Sequence, residues 1–349
     1  MRALTIQPLV ADSLELSELP EPTPGEGELL VDGLALGVCG TDRELISGEY
    51  GFAPEGRDRL VLGHESLGRV RTAPPDSGFA PGDLVVGVVR RPDPLPCGAC
   101  AHGEFDMCRN GEYTERGIKQ LDGYGSEQWT LEAAYATKLD PALAEVGVLM
   151  EPTTVVAKAW EQVDRIGSRS WFAPERVLVT GAGPIGLLAA MIGAQRGLDV
   201  HVLDRVEGGA KPEAVAALGA TYHSADAAEV AERLNPDVVI EATGVPTVVL
   251  SGMVRTAAYG ITVLTGVSTA GRRTPVDLGA ANRSIVLEND VIVGSVNANL
   301  RHYASAAAAL TAADTGWLER IITRRVPLEG YREAFEARPD DIKVVLTLS

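Results

Sequence analysis

The chain has 349 residues, 45% hydrophobic and 23% charged, which is enough core material for two globular domains. It carries 48 acidic and 31 basic side chains, and the formal net charge of −17 repels phosphate backbones and argues against a nucleic-acid partner. The sequence contains neither a run of about 18 apolar residues, which would predict a membrane span, nor an evident secretory leader. We therefore expect a cytoplasmic protein without a membrane partner.

The first third of the chain consists of strand and turn sequences. The runs "ALTIQP", "ELLVDGLALGV", "LGRVRTA" and "GDLVVGVVRR" are rich in aliphatic and β-branched residues, and Gly, Pro and Asp separate them. This pattern predicts a barrel-like β domain.

A set of metal-binding residue types lies in this region. Cys39 occurs in "VCGTD" and His64 in "GHES", and two acids accompany them: Glu65 beside the histidine and Glu151 in "GVLMEPTT". A thiolate, an imidazole and a carboxylate suit a catalytic zinc ion that keeps one position open, and such an ion polarises an alcohol oxygen. We therefore predict a zinc site here, with Thr41 as a candidate to relay the hydroxyl proton.

From about residue 155 onward, strands alternate with helices. A helix at "AKAWEQVDRIGSR" precedes five strands, at "RVLVTGAG", "DVHVLD", "DVVIEATG", "GITVLTGV" and "VIVGSV". This alternation predicts a doubly wound parallel sheet with helices on both faces. The C-terminal segment is expected to end in a helix and a strand that return to the first domain. The predicted boundaries are 1–155 and 300–349 for the first domain and 156–299 for the second.

The first of these strands leads into a glycine-rich turn. Gly181, Gly183 and Gly186 match G-x-G-x-x-G between a strand and a helix, and Asp204 follows at the end of the next strand. The pattern predicts dinucleotide binding, with Asp204 on the ribose hydroxyls favouring NAD. Arg205 could instead stack on adenine or meet a 2′-phosphate, so NADP is the alternative. The remaining candidate cofactor-binding residues are Pro184, Ile185, Thr243, Gly244, Gly266, Val267 and Ser268.

The ordered motifs "VCGTD", "LGHESLGRV", "GDLVV", "GAGPIG" and "EATG" resemble those of zinc-dependent medium-chain alcohol dehydrogenases over essentially the whole chain. "NGEYTERGI", "LDGYGSE", "MEPTTVVAKA" and "GSVNAN" further resemble the glucose 1-dehydrogenase branch. The resemblance implies an α/β chain with a GroES-like β-barrel catalytic domain and a Rossmann domain, an active site in the cleft between them, and homodimers or homotetramers.

The implied reaction is NAD(P)-dependent oxidation of an aldose at C1 to the lactone, with D-glucose as the leading substrate. One alternative is a related polyol or alcohol dehydrogenase with the same zinc site. A second is a catalytically inactive nucleotide-sensing protein of the same fold.

The resemblance also implies roles for individual residues. Cys39, His64 and Glu151 would hold the catalytic zinc ion, and Glu65 would lie close enough to join its ligand shell. Asn297, in "GSVNAN", would contact the sugar and is also a candidate contact of the cofactor. The residues implied to bind the sugar are Thr41, Glu115, Glu151 and Asn297.

A second cysteine group, in "RRPDPLPCGACAHGEFDMC", resembles the structural zinc lobe of the family. The family usually has four cysteines there, whereas this chain has Cys97, Cys100 and Cys108, and a proline takes the remaining position. Asp93, one residue earlier, could supply an oxygen ligand, and His102 is the alternative. We expect a structural zinc held by the three thiolates and Asp93; a lobe without metal is the other interpretation.

Overall fold

The computed structural model describes residues 1–271 and 274–348. The chain divides into two units, Met1–Glu151 with Asn297–Ser349, and Pro152–Val296. The sequence-based boundaries at 155/156 and 299/300 differ from these by a few residues. The first difference arises because a helix that begins at Met150 carries the chain across the boundary, so no loop marks it.

The strands, in chain order, are β1 (Arg2–Ile6), β2 (Glu15–Glu18), β3 (Glu28–Val38), β4 (Leu60–Val61), β5 (Glu65–Thr72), β6 (Leu84–Gly87), β7 (Arg90–Arg91), β8 (Thr114–Arg116), β9 (Gln120–Leu121), β10 (Gln128–Glu132), β11 (Ala136–Lys138), β12 (Arg176–Thr180), β13 (Asp199–Leu203), β14 (Thr221–His223), β15 (Val238–Glu241), β16 (Ile261–Leu264), β17 (Val291–Gly294), β18 (Ile322–Pro327) and β19 (Lys343–Thr347).

The α-helices are α1 (Gly40–Ile46), α2 (Gly98–Ala101), α3 (Met150–Gly167), α4 (Pro184–Gln195), α5 (Ala210–Ala217), α6 (Ala227–Leu234), α7 (Pro246–Val254), α8 (Leu278–Glu288), α9 (Leu300–Thr311), α10 (Thr315–Ile321) and α11 (Tyr331–Phe335). Short 3₁₀ helices span Phe105–Met107, Ala133–Tyr135, Pro141–Leu143, Gly147–Leu149 and Leu328–Gly330.

The first unit is built around strand β3. Antiparallel strands β5, β10 and β19 all pair with β3, in a sheet whose order is β11-β6-β5-β3-β19-β18. Buried and half-buried residues alternate along the first half of β3, as expected for a strand that covers a core with one face. The C-terminal helix α11 precedes β19, and β19 pairs with β3 in this sheet.

The second unit contains a parallel sheet, and this confirms the prediction made from the alternating strands and helices. Its six strands run in the order β14-β13-β12-β15-β16-β17, and every pair is parallel. Strands β12 and β15 are almost continuously apolar and buried, because helices can cover both faces of such a sheet. The order reverses beside β12, the strand that leads into the glycine-rich turn, and ligands bind at such a point in doubly wound sheets.

Each unit has its own apolar core. In the first unit the core includes the fully buried Leu4, Leu29 and Leu36, and in the second it includes Val230 and Val239. Within residues 1–271 and 274–348, none of the helices has both the length and the apolar character that crossing a bilayer requires.

Candidate active site

Cys39, His64 and Glu65 come together in the first unit. Cys39 immediately follows β3 and is the N-cap of α1, while His64 immediately precedes β5 and Glu65 is the first residue of that strand. Strand pairing sets the register, since Glu65 is opposite Gly37 on β3. One ligand atom from each of the three side chains lies within 4.8 Å of the other two. Cys39 and His64, which are 25 positions apart in sequence, therefore meet because the end of β3 lies beside the start of its antiparallel neighbour β5.

The Glu65 carboxylate lies against the backbone of Gly37 and the buried side chain of Lys343. A Cβ atom at Gly37 would overlap Glu65 Oε2, so glycine is needed there for the carboxylate to fit. Lys343 is only 2% exposed; its ammonium pairs with Glu65 Oε2 and donates a hydrogen bond to the Val38 carbonyl at 3.0 Å. Burial alone would lower the pKa of Lys343, but the charge of Glu65 raises it. The lysine thus fixes the Glu65 carboxylate close to the other two ligand candidates.

His64 is oriented by a second buried carboxylate. Asp42 Oδ1 is 3.4 Å from His64 Nδ1, and Asp42 Oδ2 accepts the Cys39 backbone N–H at 2.8 Å. Burial acts to lower the pKa of His64, but the adjacent Asp42 charge raises it well above its ordinary value. With Nδ1 facing Asp42, the Nε2 atom remains available as a ligand. A carboxylate on the outer nitrogen of a metal-binding histidine is a common supporting contact.

Glu151 and Thr41 lie close to this cluster but outside it. Glu151 is in the first turn of α3, and it is absent from the group of ligand atoms within 4.8 Å that the described residues form. Burial raises the pKa of Glu151 to about 7; the Glu65 charge also raises it, while His64 and Lys343 lower it. These interactions put Glu151 in the electrostatic field of the cluster. Thr41 lies in the first turn of α1, two residues after Cys39.

The donor set fits a zinc ion. A thiol, an imidazole and a carboxylate match the preferences of Zn²⁺, and the histidine and the carboxylate are almost fully buried. Glu65 Oε2 is buried against the Lys343 ammonium and His64 Nδ1 is buried against the Asp42 carboxylate, so these neighbours offset part of the cost of burying the two atoms. A bound zinc ion would supply Lewis acidity toward a hydroxyl oxygen.

Two of the four predicted sugar-binding residues, Glu115 and Asn297, also meet in the first unit. Glu115 lies on β8, and its carboxylate forms a salt bridge of 3.0 Å with Arg90 on β7. In the amide orientation that satisfies both of its polar atoms, Asn297 donates to Glu115 Oε1 at 3.2 Å and accepts from Arg90. The pKa of the Tyr50 phenol depends on both Glu115 and His64. Burial, and to a smaller extent the charge of Glu115, raise this pKa to about 12, whereas His64 acts to lower it. Glu115 and His64 therefore both lie within electrostatic range of Tyr50.

The three remaining cysteines form the second candidate metal site. Cys97 is the N-cap of α2, Cys100 lies within α2, and their sulfur atoms lie within 4.8 Å of each other and of Cys108. The Arg109 backbone N–H donates to Cys97 Sγ at 3.3 Å, and this contact is the main reason that the pKa of Cys97 falls to about 6. Burial raises the pKa of Cys100 to about 11. Such sulfur clustering is typical of structural zinc sites.

Asp93 and His102, the candidate fourth ligands, are adjacent to this cluster but outside the group within 4.8 Å. Asp93 is 4% exposed; its Oδ1 accepts the Leu95 N–H at 2.8 Å, and its Oδ2 has no hydrogen-bond partner among the described residues. The Asp93 backbone N–H also contacts the Cys100 thiol. His102 is exposed, and its Nδ1 is 2.7 Å from the Gly98 carbonyl oxygen.

In the second unit, the glycine-rich turn has the geometry that dinucleotide binding requires. Gly181 has φ +95°, in the left-handed region that favours glycine. Gly183 is the N-cap of α4, and a Cβ there would meet open space. A Cβ at Gly186 would overlap the Gly181 carbonyl oxygen, so this glycine allows the helix to pack against the turn. Pro184 and Ile185 begin the first turn of α4; Pro184 has no N–H group, and the free backbone N–H groups of the residues after it suit an anion.

Asp204 lies at the end of β13 beside this turn. Its Oδ2 accepts the Ala182 N–H at 2.8 Å and the Lys211 ammonium at 3.1 Å. Burial would raise the pKa of Asp204, but these two contacts lower it below its ordinary value, so the carboxylate is ionised. A pocket of about 610 Å³ opens here. Its lining includes Gly181, Gly183, Asp204, Arg205, Lys211 and Thr243.

The other predicted cofactor residues follow strands β15 and β16. Gly244 has φ +62°, and a Cβ at Gly266 would overlap the Gly244 nitrogen, so the two loops approach closely. Ser268 Oγ donates to the Gly244 carbonyl at 2.6 Å, whereas Val267 is largely exposed. The fully buried Glu241 accepts hydrogen bonds from the backbone N–H and the hydroxyl of Thr243. Asn297, also predicted to contact the cofactor, belongs to the first unit.

The sequence analysis missed five supporting residues. Asp42 and Glu241 lie inside the quoted motifs "VCGTD" and "EATG", so attention to the acidic residues within those motifs would have found them. Lys211 lies at the start of the helix after Asp204, which is a weak signal. Arg90 and Lys343 have no sequence signal, because their partners are distant in the chain.

The fold and these two sites define a zinc-type, dinucleotide-dependent dehydrogenase. Residues 25–141 match the family model "Alcohol dehydrogenase GroES-like domain", and residues 144–348 match "Glucose dehydrogenase C-terminus". The chain belongs to the medium-chain zinc alcohol dehydrogenase family, in its glucose dehydrogenase branch. It is a glucose 1-dehydrogenase-like, NAD(P)-dependent oxidoreductase, and the predicted GroES-like and Rossmann-type domains are confirmed.

Known relatives cover the full length of the chain. The glucose 1-dehydrogenase of Thermoproteus tenax is 44% identical over 99% of both chains. The glucose 1-dehydrogenase of Methanocella arvoryzae is 39% identical over 100% of this chain and 99% of its own. The solved structure of Haloferax mediterranei glucose dehydrogenase in complex with NADP, Zn and gluconolactone superposes with a TM-score of 0.92, at 33% identity, over 100% of this chain and 99% of its own.

Proposed function

We propose that this protein oxidises D-glucose at C1 to the lactone and reduces NAD(P)⁺. The supporting observation is that Glu115 and Asn297, a paired set of hydroxyl-binding groups, lie in the same unit as the Cys39–His64–Glu65 cluster. The T. tenax and M. arvoryzae relatives bear the name of this activity, and the H. mediterranei structure contains gluconolactone. A polyhydroxyl substrate gives these buried polar groups hydrogen-bond partners that a simple alcohol lacks.

The reaction removes a hydride from C1 of the sugar and a proton from its C1 hydroxyl. The hydride reduces the nicotinamide at C4, and the proton is released to solvent, so the products are the lactone, NAD(P)H and H⁺. Cys39, His64 and Glu151 are proposed to hold the catalytic zinc ion, with Glu65 able to join them. Thr41 accepts a hydrogen bond from the C1 hydroxyl, and Glu115, Asn297 and Glu151 fix the ring by binding other hydroxyls. A bound zinc ion would favour loss of the hydroxyl proton.

We propose NAD as the preferred cofactor, with NADP as the alternative. The ionised Asp204 suits the two ribose hydroxyls and repels a 2′-phosphate. The Lys211 ammonium offsets part of that repulsion, and Arg205 lines the same pocket. The NADP in the H. mediterranei structure shows that this branch includes a protein able to bind the phosphorylated cofactor.

A steady-state assay tests the proposed function directly. Several aldoses, sorbitol and ethanol are compared with NAD and with NADP, before and after treatment with a chelator. We expect the highest kcat/KM with D-glucose, a higher kcat/KM with NAD than with NADP, and loss of activity with the chelator that added Zn²⁺ restores. Strong turnover of ethanol or sorbitol without turnover of glucose would support the related polyol or alcohol dehydrogenase. Tight nucleotide binding without any turnover would support the nucleotide-sensing protein.

We also propose that Cys97, Cys100, Cys108 and Asp93 hold a second, structural zinc ion. Asp93 is the better fourth ligand because its buried Oδ2 lacks a hydrogen-bond partner among the described residues, whereas the exposed His102 binds a backbone carbonyl through Nδ1. A buried, unpaired carboxylate oxygen is unfavourable unless a cation or a donor satisfies it.

Zinc content separates these two candidate ligands. We expect about two zinc ions per chain in the wild-type protein, about one in Asp93→Ala and about two in His102→Ala, because only the first variant removes a ligand. The measurement is elemental analysis after dialysis against buffer containing a weak chelator. The opposite result, with loss of zinc only from His102→Ala, would assign the ligand to the histidine, and one zinc in all three proteins would favour a metal-free lobe.

We further propose a cytoplasmic homodimer or homotetramer. Clustered thiols that bind metal persist in a reducing compartment. Strand β17 is an edge of its sheet, and helix α8, just before it, exposes Leu278, Val286 and Leu287. An unpaired edge beside exposed apolar side chains is typical of a self-association surface. Light scattering that gave the mass of a single 36.8 kDa chain would contradict the oligomer.

A further inference from the structure

We propose that Arg90 is a positioning residue that orients Glu115 and Asn297 for two hydroxyl groups of the sugar. This inference rests on the proposed function, because it concerns how the two sugar-binding side chains are held. The residue was absent from the sequence-based site, and its role follows from three sets of contacts within the first unit.

The first set anchors Arg90 itself. The side chain is 7% exposed and lies over the Tyr113 ring, with the guanidinium carbon 3.6 Å from the ring centroid. Its Nη1 donates to the backbone carbonyl of Asp106 at 3.2 Å. A guanidinium that is stacked on one face and bonded at one end has little freedom to rotate.

The second set joins Arg90 to Glu115. Both Nε and Nη2 of Arg90 lie 3.0 Å from Glu115 Oε1. Asn297 also donates to Oε1, so all the hydrogen bonds described for this carboxylate end on the same oxygen atom. Oε2 is thereby left as the oxygen atom that can accept a hydrogen bond from a substrate hydroxyl.

The third set joins Arg90 to Asn297. The Asn297 amide oxygen accepts from Arg90 Nη2, and this contact decides which way the amide faces. Asn297 has φ +60°, a backbone conformation that asparagine tolerates better than most residues. Without the guanidinium, the amide could rotate by half a turn, and its nitrogen would no longer face Glu115.

The buried pair also adjusts the charge of the site. Glu115 is 10% exposed at its side chain, and an isolated carboxylate would be costly to bury there. The Arg90 guanidinium offsets that cost, and the Glu115 carboxylate retains an oxygen atom that can accept a hydrogen bond from a sugar hydroxyl. The geometry thus assigns Arg90 a role in substrate affinity and in discrimination among hydroxyl patterns.

The neighbouring Arg91 provides a matched control. It is equally buried, lies over the Tyr135 ring at 4.2 Å and pairs with Glu132 at 2.7 Å. Arg91 has no described contact with Glu115 or Asn297. Arg90→Lys and Arg91→Lys therefore remove the same guanidinium fork from equivalent surroundings, and only the first disturbs the proposed sugar-binding pair.

The test compares wild type, Arg90→Lys and Arg91→Lys as full-length, zinc-loaded proteins. We expect Arg90→Lys to raise KM for D-glucose by about tenfold, with kcat and KM for the cofactor changed by less than about twofold, because the lost interaction is uniform binding of the sugar. Discrimination between glucose and its monodeoxy analogues should fall for one or two ring positions. Arg91→Lys should retain the wild-type values. Thermal melting of all three proteins shows whether the two substitutions perturb stability equally.

The outcomes separate this inference from the proposed function. Equal kinetic constants for the two variants, or an Arg90→Lys defect confined to kcat, would overturn the role of Arg90 while leaving the function intact. A wild-type protein that oxidises no aldose would overturn both.

If Arg90→Lys fails to fold, the variant Asn297→Asp is used instead. This substitution replaces the amide donor that faces Glu115 with a carboxylate that repels it. An unchanged KM for glucose in Asn297→Asp would overturn the proposed pair.

Discussion

Replacing His64 with alanine should lower kcat at least about a thousandfold, while the dissociation constant of NAD changes by less than about twofold. The imidazole is 5% exposed and lies with Cys39 and Glu65 in one group of candidate metal ligands. A metal ion that polarises the reacting oxygen contributes several kcal/mol to stabilisation of the transition state, which corresponds to this loss of rate. The nucleotide pocket belongs to the other unit and keeps all its lining residues.

The measurements are steady-state kinetics with glucose and calorimetric titration with NAD. His102→Ala is the matched control, because it removes another imidazole from an exposed position outside the cluster. It should retain the wild-type kcat. Zinc analysis should show one ion fewer in His64→Ala than in the control. Full turnover by His64→Ala would exclude the metal-dependent mechanism.

Two alanine substitutions in the glycine-rich turn should separate folding from cofactor binding. Gly186→Ala should lower the free energy of unfolding by about 1–3 kcal/mol, because its Cβ would overlap the Gly181 carbonyl oxygen and the helix must move away. The dissociation constant of NAD should also rise by at least about tenfold, since displacement of α4 moves the backbone N–H groups that bind the phosphates.

Gly183→Ala is the informative comparison. Its Cβ would point into open space, and its φ of −82° is accessible to alanine, so stability should change by less than about 0.5 kcal/mol. NAD affinity should nevertheless fall by at least about tenfold, because the methyl group takes space that the pyrophosphate needs. Urea unfolding and calorimetry measure the two quantities. Wild-type NAD affinity in Gly183→Ala would show that the pyrophosphate does not lie over this turn.

Several parts of the fold and the site could be predicted because their signals are local. The glycine pattern from Gly181 to Gly186 lies between a strand and a helix, and short-range geometry requires Gly181 and Gly186, whereas Gly183 leaves open space over the turn. The alternating strands and helices of the second unit follow from apolar runs and their spacing. Strands β14 and β18 were missed because β14 has three residues and none is buried, and only two of the six residues of β18 are buried, so their sequences have little apolar periodicity. Strand β10 was missed although its buried residues Trp129 and Leu131 alternate with half-buried ones.

Other features were decided by the tertiary structure alone. Glu65 and Lys343 form a buried ion pair although they lie at opposite ends of the chain, and this happens because β19 returns to pair with β3. Arg90 reaches Asn297 for a comparable reason, since the chain re-enters the first unit only after the whole parallel sheet is complete.

The sequence by itself determined the class of protein, the cofactor fold and the residues capable of binding zinc, because these depend on residue types at short spacing. The tertiary structure decided which buried charges lie beside those ligand candidates and which way the proposed sugar-binding side chains face. The Glu65–Lys343 and Arg90–Asn297 pairings join segments about two hundred or more residues apart. Only strand order and burial, neither of which spacing encodes, bring their atoms within hydrogen-bonding distance.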